Sequence, residues 1–129
     1  MTDLGLAHLT ALDLAPVALV AEAAHGCFDL PPVPDTGALR SDLLACFEGT
    51  VRKSLDGRIG AMFLSLLDAA QRDPELDRVL QGYLDQRRRP VRLVIERAVE
   101  RGELPPDTDV ELLITLLSGP LVYTKMIMR

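Results

Sequence analysis

The sequence contains no tryptophan, only two cysteines and two histidines, and few aromatic residues, which make up 4% of its 129 positions. Cys27 and Cys46 lack a CxxC or other ligand spacing, so they indicate small buried side chains in a reducing compartment, with a disulfide as the less favoured alternative. His8 and His25 have no carboxylate pattern near them, which favours solvated or capping roles over metal binding or base catalysis. We therefore expect no metal and no cofactor.

The sequence also lacks the motifs on which many enzymes depend. It has no phosphate loop, no GxSxG, no HExxH and no paired Cys/His cluster. Asp35, Asp73 and Asp109 precede predicted helices, where capping explains them better than catalysis. The one local basic cluster, Arg87 to Arg89, would point around a helix at steps of ~100°, which favours solvent and intrachain ion pairs over an anion site. We expect no enzymatic activity.

Long apolar runs and an excess of positive charge are absent as well. The run from Leu112 to Tyr123 has 12 residues and is interrupted by Gly119 and Pro120, whereas a membrane-spanning helix needs ~20. The N-terminus lacks the basic stretch of a signal peptide. With 14 Lys and Arg against 19 Asp and Glu, the net charge of −5 disfavours a surface that collects phosphates. These features predict a cytoplasmic protein with neither a membrane nor, by default, nucleic acid as its partner.

What the sequence has is helical periodicity. Segments with apolar residues three and four positions apart are separated by Gly, Pro and Asp, and no alternation of period two occurs. This predicts an all-α fold, a helical bundle over residues 17–129 preceded by a short segment, residues 1–16. Helices are expected over 3–14, 16–24, 35–55, 59–72, 74–89, 91–101 and 110–128.

Several helix boundaries have strong local signals. Asp73-Pro74-Glu75 combines an N-cap, a proline at the first helical position and a carboxylate at the positive helix end. Thr108 and Glu111 have the spacing of a capping box for the last helix. Pro90 is expected to kink or restart its helix, and Pro120 to bend the last one.

The few aromatic and methionine side chains have two interpretations. At helical spacing they would normally form the core. Methionine and phenylalanine also line adaptable cavities for apolar ligands, and Tyr83 could supply one polar group. The sequence by itself leaves a ligand cavity and a filled core as alternatives.

Five segments, in order along the chain, resemble the C-terminal domain of TetR-type transcriptional regulators: Pro34–Leu44, Ala70–Leu76, Arg87–Pro90, Ile95–Leu104 and Ser118–Tyr123. The resemblance implies an all-helical domain that binds small apolar effectors between its helices and forms a homodimer through its last two helices. It places the effector beside Phe47, Met62, Phe63, Leu66 and Tyr83. It places the dimer interface at Val91, Ile95, Val99, Leu112, Leu113, Leu116, Leu117, Val122 and Ile127.

A second argument also points to the last helix as an interface. Residues 110–128 are apolar nearly all round, so a single chain would have difficulty covering every side of this helix.

The beginning of the chain departs from the family pattern. TetR-type regulators start with a three-helix DNA-binding unit of roughly fifty residues, whereas about sixteen precede Val17 here. We therefore expect a truncated or degenerate member without DNA binding of its own, which acts as an effector sink, pairs with a full-length regulator or is a remnant. The alternative is a helical protein-interaction module without a ligand cavity that pairs with a full-length relative.

Overall fold

The computed structural model describes residues 32–54 and 57–128. These residues form four helices and no strand: α1 (Leu39–Ser54), α2 (Gly57–Ala70), α3 (Pro74–Glu100) and α4 (Val110–Met126). The predicted all-α class is confirmed. The helices expected over 3–14 and 16–24, and the boundary at residue 17, lie outside the described residues. No helix among the described residues is long and apolar enough to cross a membrane.

The start of α3 follows the sequence signals closely. Asp73 is the N-cap, with φ −129° and ψ 104°, and its carboxylate accepts hydrogen bonds from the amides of Glu75 at 3.0 Å and Leu76 at 3.3 Å. Pro74 occupies the first turn, where its missing N–H leaves no bond unmade. The predicted cap is confirmed.

The end of α3 is a Schellman turn around Gly102. Gly102 has φ 81°, and its amide donates to the carbonyl of Val99, while the amide of Glu103 donates to that of Ala98 at 2.9 Å. A positive φ is strained for residues with a Cβ, so glycine suits this position. The predicted stop at Gly102 is confirmed.

The cap expected at Asp35 and the capping box expected at Thr108 are wrong, whereas the capping role expected of Asp109 is confirmed. The carbonyl of Ala38 accepts the first intrahelical bond of α1, from the amide of Asp42, so Ala38 rather than Asp35 is its N-cap. At α4 the N-cap is Asp109, whose carboxylate accepts from the amide of Leu112 at 3.0 Å. Thr108, the expected cap, instead donates its hydroxyl proton to the carbonyl of Pro105 at 2.6 Å in the preceding turn.

Pro90 does not divide the long helix. The segments expected on either side of it form the single helix α3, and Pro120 likewise lies inside α4. A proline in a helix costs a hydrogen bond and introduces a clash. Here, buried residues line α3 both before and after Pro90, and their packing holds the chain helical across the proline.

Two apolar clusters share α3. Near its start, Ala70, Leu76 and Leu80 are buried between α2 and α3. Near its end, Val91 and Ile95 pack with Ile114 of α4, and α1 covers this second cluster. The side chains packed around the second cluster are Leu43, Cys46, Phe47, Leu104, Val110, Leu113 and Leu117. The position of α4 is therefore set by the second half of α3.

The segment before α1 is tied to the helix and to the end of α3 by polar contacts. Asp42, which is only 1% exposed, accepts hydrogen bonds from the amide of Thr36 at 2.8 Å and from its hydroxyl at 2.7 Å. Arg97 donates to the carbonyl of Pro34 at 3.3 Å, and Glu103 accepts from the amide of Leu39 at 2.9 Å. We call these four contacts the α1 clasp.

The clasp keeps Asp42 ionised. The hydrogen bonds from Thr36 hold the pKa of the Asp42 carboxyl below its usual value against the opposing effect of burial, and the charges of Arg101 and Arg97 act in the same direction as the bonds. When the pH falls, the unfolded chain therefore binds this proton before the folded chain does. The contribution of the ionised carboxylate is full above the unfolded pKa of ~3.9 and is lost as the pH falls through the folded value.

We predict a pH-dependent effect of Asp42→Asn. The variant should unfold more easily than the wild type at pH 7, because the charge that Thr36, Arg97 and Arg101 stabilise is gone. The difference should shrink as the pH falls below about 4. Urea unfolding at several pH values measures it, with Asp107→Asn, an exposed carboxylate in the α3–α4 loop, as the control. A difference that stays constant with pH would contradict the assignment.

Candidate functional site

An exposed apolar stripe runs along one side of α4. Leu112, Leu116, Tyr123 and Ile127 are 55%, 60%, 58% and 66% exposed. They follow one another at intervals of four, seven and four residues, each close to a whole number of helical turns, so they lie above one another on one side. We call these four residues the α4 stripe.

The opposite side of α4 faces the core. Ile114 is buried in the second cluster, and Leu113 and Leu117 are half-buried against it. The helix that is apolar nearly all round in sequence is thus covered on one side over its first half, and beyond Leu117 the side chains of Leu121 and Val122 are 38% and 46% exposed.

The interface residues predicted on α3 lie elsewhere. Val91 is 8% exposed and Ile95 is fully buried, both inside the chain's own core, and Val99 is half-buried. Their four-residue spacing fits the face of α3 that α1 and α4 cover. Of the predicted interface residues, those with open surface are Leu112, Leu116, Val122 and Ile127. Tyr123 was not among them, although its spacing from Leu116 and Ile127 was a usable signal.

An ion pair joins α3 to α4 beside the start of the stripe. The Nε of Arg92 donates to Oε1 of Glu111 at 2.7 Å, and a second guanidinium nitrogen lies 2.7 Å from the same oxygen. This hydrogen bond, followed by the nearby charges of Arg92 and Arg88, holds the pKa of Glu111 below its usual value. The charge bordering Leu112 is therefore compensated within the chain.

The predicted effector residues are only partly brought together. Phe63, Leu66 and Tyr83 all pack against the first cluster, between α2 and α3, and remain half-buried. Phe47 belongs to the second cluster instead, and Met62 is 43% exposed. We call Phe63, Leu66 and Tyr83 the α2–α3 seam.

The seam has one polar side. The guanidinium of Arg87 lies 5.9 Å from the centre of the Tyr83 ring, within the range of a cation–π contact. Arg87, whose sequence neighbours indicated a solvated basic cluster, is thus directed toward the seam. The second arginine of the cluster, Arg88, pairs with Asp85 at 3.8 Å.

Groups with chemical reactivity are sparse in the described part of the chain. Among residues 32–54 and 57–128, no group of three or more His, Cys, Asp or Glu side chains could hold a metal ion. Burial raises the pKa of the Cys46 thiol, and the charge of Asp42 raises it further. Cys46 is therefore a protonated, half-buried side chain of the second cluster and not an activated nucleophile.

Comparison with known proteins assigns this helical architecture to a family. Residues 33–129 match the family described as tetracyclin repressor-like, C-terminal domain. The chain is 31% identical to the uncharacterized HTH-type transcriptional regulator YdeS of Bacillus subtilis over 100 residues, which are 77% of this chain and 50% of YdeS.

Two further relatives come from other bacteria. The uncharacterized HTH-type transcriptional regulator Mb1581 of Mycobacterium bovis is 33% identical over 95 residues, covering 73% of this chain and 46% of Mb1581. The HTH-type transcriptional regulator AqdR of Rhodococcus erythropolis is 31% identical over 88 residues, covering 68% and 42%. This chain spans about half the length of the curated relatives that it matches. The resemblance read from five short segments is confirmed: the chain belongs to the TetR family of regulators and corresponds to their C-terminal domain.

Proposed function

We propose that this chain is the dimerisation and effector-binding part of a TetR-type regulator and that two copies associate through the α4 stripe. The observation that carries the proposal is the stripe itself, four large apolar side chains, each more than half exposed, on one side of one helix. Fully burying such a side chain contributes about 1.5–3 kcal/mol. Contiguous exposed apolar surface of this kind marks an interaction site in a soluble domain.

The support behind the stripe favours the same function. α4 is held on α3 by the buried contacts of Ile114 with Val91 and Ile95, and at its edge by the pair of Arg92 with Glu111. A face that is fixed in this way loses little conformational freedom when a partner covers it. In helix-turn-helix regulators a dimer also sets the spacing of the two DNA half-sites.

For the effector we propose a small apolar molecule at the α2–α3 seam. Phe63, Leu66 and Tyr83 keep part of their surface open although they flank buried residues, so a ligand could cover apolar area there. Arg87 beside Tyr83 would favour a ligand with a polar or negatively charged end. The competing possibility is a seam closed by its own side chains in a pure interaction module.

We also infer that the C-terminal domain in this chain does not itself recognise duplex DNA. The net charge is −5, and two arginines of the central helix, Arg88 and Arg92, are paired with Asp85 and Glu111. The acidic balance of the chain opposes binding to the phosphate backbone. The proposal involves no catalytic role and no cofactor.

We predict that Leu116→Glu dissociates the dimer. A carboxylate placed in the middle of a buried apolar interface costs several kcal/mol, on the order of 3–5, because it is left without a partner. Sedimentation equilibrium at micromolar concentration measures the change. Leu44→Glu is the matched control, since Leu44 on α1 is 61% exposed against 60% for Leu116. A monomeric wild type, or equal dissociation by both variants, would contradict the assigned face.

We predict that a small apolar or aromatic compound raises the melting temperature in a concentration-dependent way. At a hundredfold excess over its dissociation constant it should add about 2.7 kcal/mol of stability. Tyr83→Ala should abolish this rise in melting temperature. Tyr123→Ala, which changes the α4 stripe instead of the seam, should leave the rise unchanged. Absence of any shift across a broad panel of such compounds would favour the closed seam and the interaction module.

We predict no sequence-specific binding of duplex DNA by this 129-residue chain. The acidic balance leaves only weak, salt-sensitive association. Electrophoretic mobility shifts with a randomised duplex library measure it. A sequence-dependent complex at nanomolar protein that survives physiological salt would show that the chain reads DNA.

A further inference from the structure

The chain enters α1 through residues 32–38, which we call the strap. None of the residues in the strap is fully buried, and only Val33 and Pro34 are half-buried. Hydrogen bonds tie the strap to the helices: Thr36 donates twice to Asp42 of α1, and Arg97 of α3 donates to the carbonyl of Pro34. A segment that buries so little apolar surface opens at a lower free energy than the helices beside it.

The carboxylate that receives the strap is hydrogen-bonded through one oxygen only. Oδ1 of Asp42 accepts both bonds from Thr36, whereas Oδ2 is buried and accepts no hydrogen bond from the described residues. A buried polar atom without a partner disfavours the conformation that buries it, because the atom has lost its hydrogen bonds to water. Thr36 is itself exposed, so the strap lies between Asp42 and solvent. Closing the strap therefore gains two hydrogen bonds at Oδ1 and is opposed at Oδ2.

The positive charges beside Asp42 belong to α3 and not to the strap. Arg101 and Arg97 both favour the ionised form of the Asp42 carboxyl. Arg101 lies 3.4 Å from Oε2 of Glu103, and Arg97 reaches the strap through its bond to the carbonyl of Pro34. Because α3 is held by its own buried residues, both charges stay near Asp42 when the strap moves. Opening the strap therefore does not leave the carboxylate without compensation.

Gly37 joins the strap to α1 through a backbone conformation that favours glycine. Its φ is 87°, and a Cβ built on it would meet no heavy atom within 4 Å. The backbone angle, and not a lack of space, is thus the reason for a glycine at this position. A change of φ and ψ at this one residue redirects the chain before it while α1 stays in place, which is how a hinge works.

We propose that the strap is a latch that opens about Gly37 while the four helices stay folded. In the closed state Thr36 is bonded to Asp42, and the carbonyl of Pro34 is bonded to Arg97. In the open state both contacts are broken and Asp42 is hydrated beside Arg97 and Arg101. The latch needs neither the proposed dimer nor the proposed effector.

The position of the latch gives it a role in the longer chain. The family match begins at residue 33, so the latch lies at the start of the C-terminal domain. Residues 1–31 continue directly from the strap. The closed latch holds the direction in which these residues leave the domain, and the open latch releases it.

The first test is amide hydrogen exchange of the full chain carrying Thr36→Val, measured by NMR where exchange follows the opening equilibrium. This change removes the hydroxyl that donates to Asp42 and keeps the branched shape. The amide of residue 36 should exchange about tenfold faster or more, the size of one lost hydrogen bond to a charged acceptor. Thr108→Val, which loses a hydroxyl bond to the carbonyl of Pro105 in another loop, should leave that rate unchanged.

The second test places the hinge. Gly37→Ala introduces a Cβ where there is space for it but where the closed backbone angle is strained for alanine. The amide of Thr36 should again exchange about tenfold faster, because the strain is relieved in the open state. Gly82→Ala is the matched control, since Gly82 is equally open but lies inside α3 without a positive φ.

Two further amides separate the latch from general destabilisation. The amide of Asp42 is bonded to the carbonyl of Ala38 at the start of α1, and that of Ile95 lies in the buried part of α3. Faster exchange at residue 36 in both variants, with unchanged rates at Asp42 and Ile95, supports the latch. Equal acceleration at all three residues, or none at residue 36, overturns it. Acceleration at residue 36 by Thr36→Val but not by Gly37→Ala overturns the hinge at Gly37.

Discussion

The packing of one side of α3 is the constraint on which the other elements depend. Leu76, Leu80, Val91, Val94, Ile95 and Ala98 are buried along this helix, and each of the other three helices packs against part of that row. Because α3 runs from the first cluster to the second, the α2–α3 seam and the α4 stripe are held by one continuous helix. The spatial relation between the two surfaces is thus a property of a single helix.

Local sequence chemistry predicted the helices well and their environment less well. The start at Asp73 and the stop at Gly102 depend on contacts a few residues apart, so they can be recognised from the sequence. The cap at Thr108 is wrong because the turn from Pro105 uses the threonine hydroxyl. Of the kink or restart expected at Pro90, the restart is wrong, because packing on both sides outweighs one lost hydrogen bond. The sequence did not predict the buried role of Asp42, because its hydrogen-bond partner Thr36 lies in the loop before α1 and not at a helical spacing.

At the candidate site, too, the sequence predicted the helices but not which of their faces are covered. Periodicity identifies an apolar face but does not say what covers it, so Val91 and Ile95 looked as suitable for an interface as Leu112 and Leu116. Only the packing of α1 and α4 on α3 separates them. In the same way, Phe47 and Phe63 are alike in sequence terms, yet they belong to different clusters.

The separation of the two clusters along α3 has a consequence for local unfolding. The described side chains of α2 that pack into a cluster belong to the first cluster, while α4 packs into the second. Opening of α2 would therefore break contacts with the first half of α3 and leave the anchorage of α4 in place. Regions with few buried contacts open at lower free energy than the global fold. The separation therefore permits α2 and the first half of α3 to exchange their amide hydrogens while the second half of α3 and α4 stay closed.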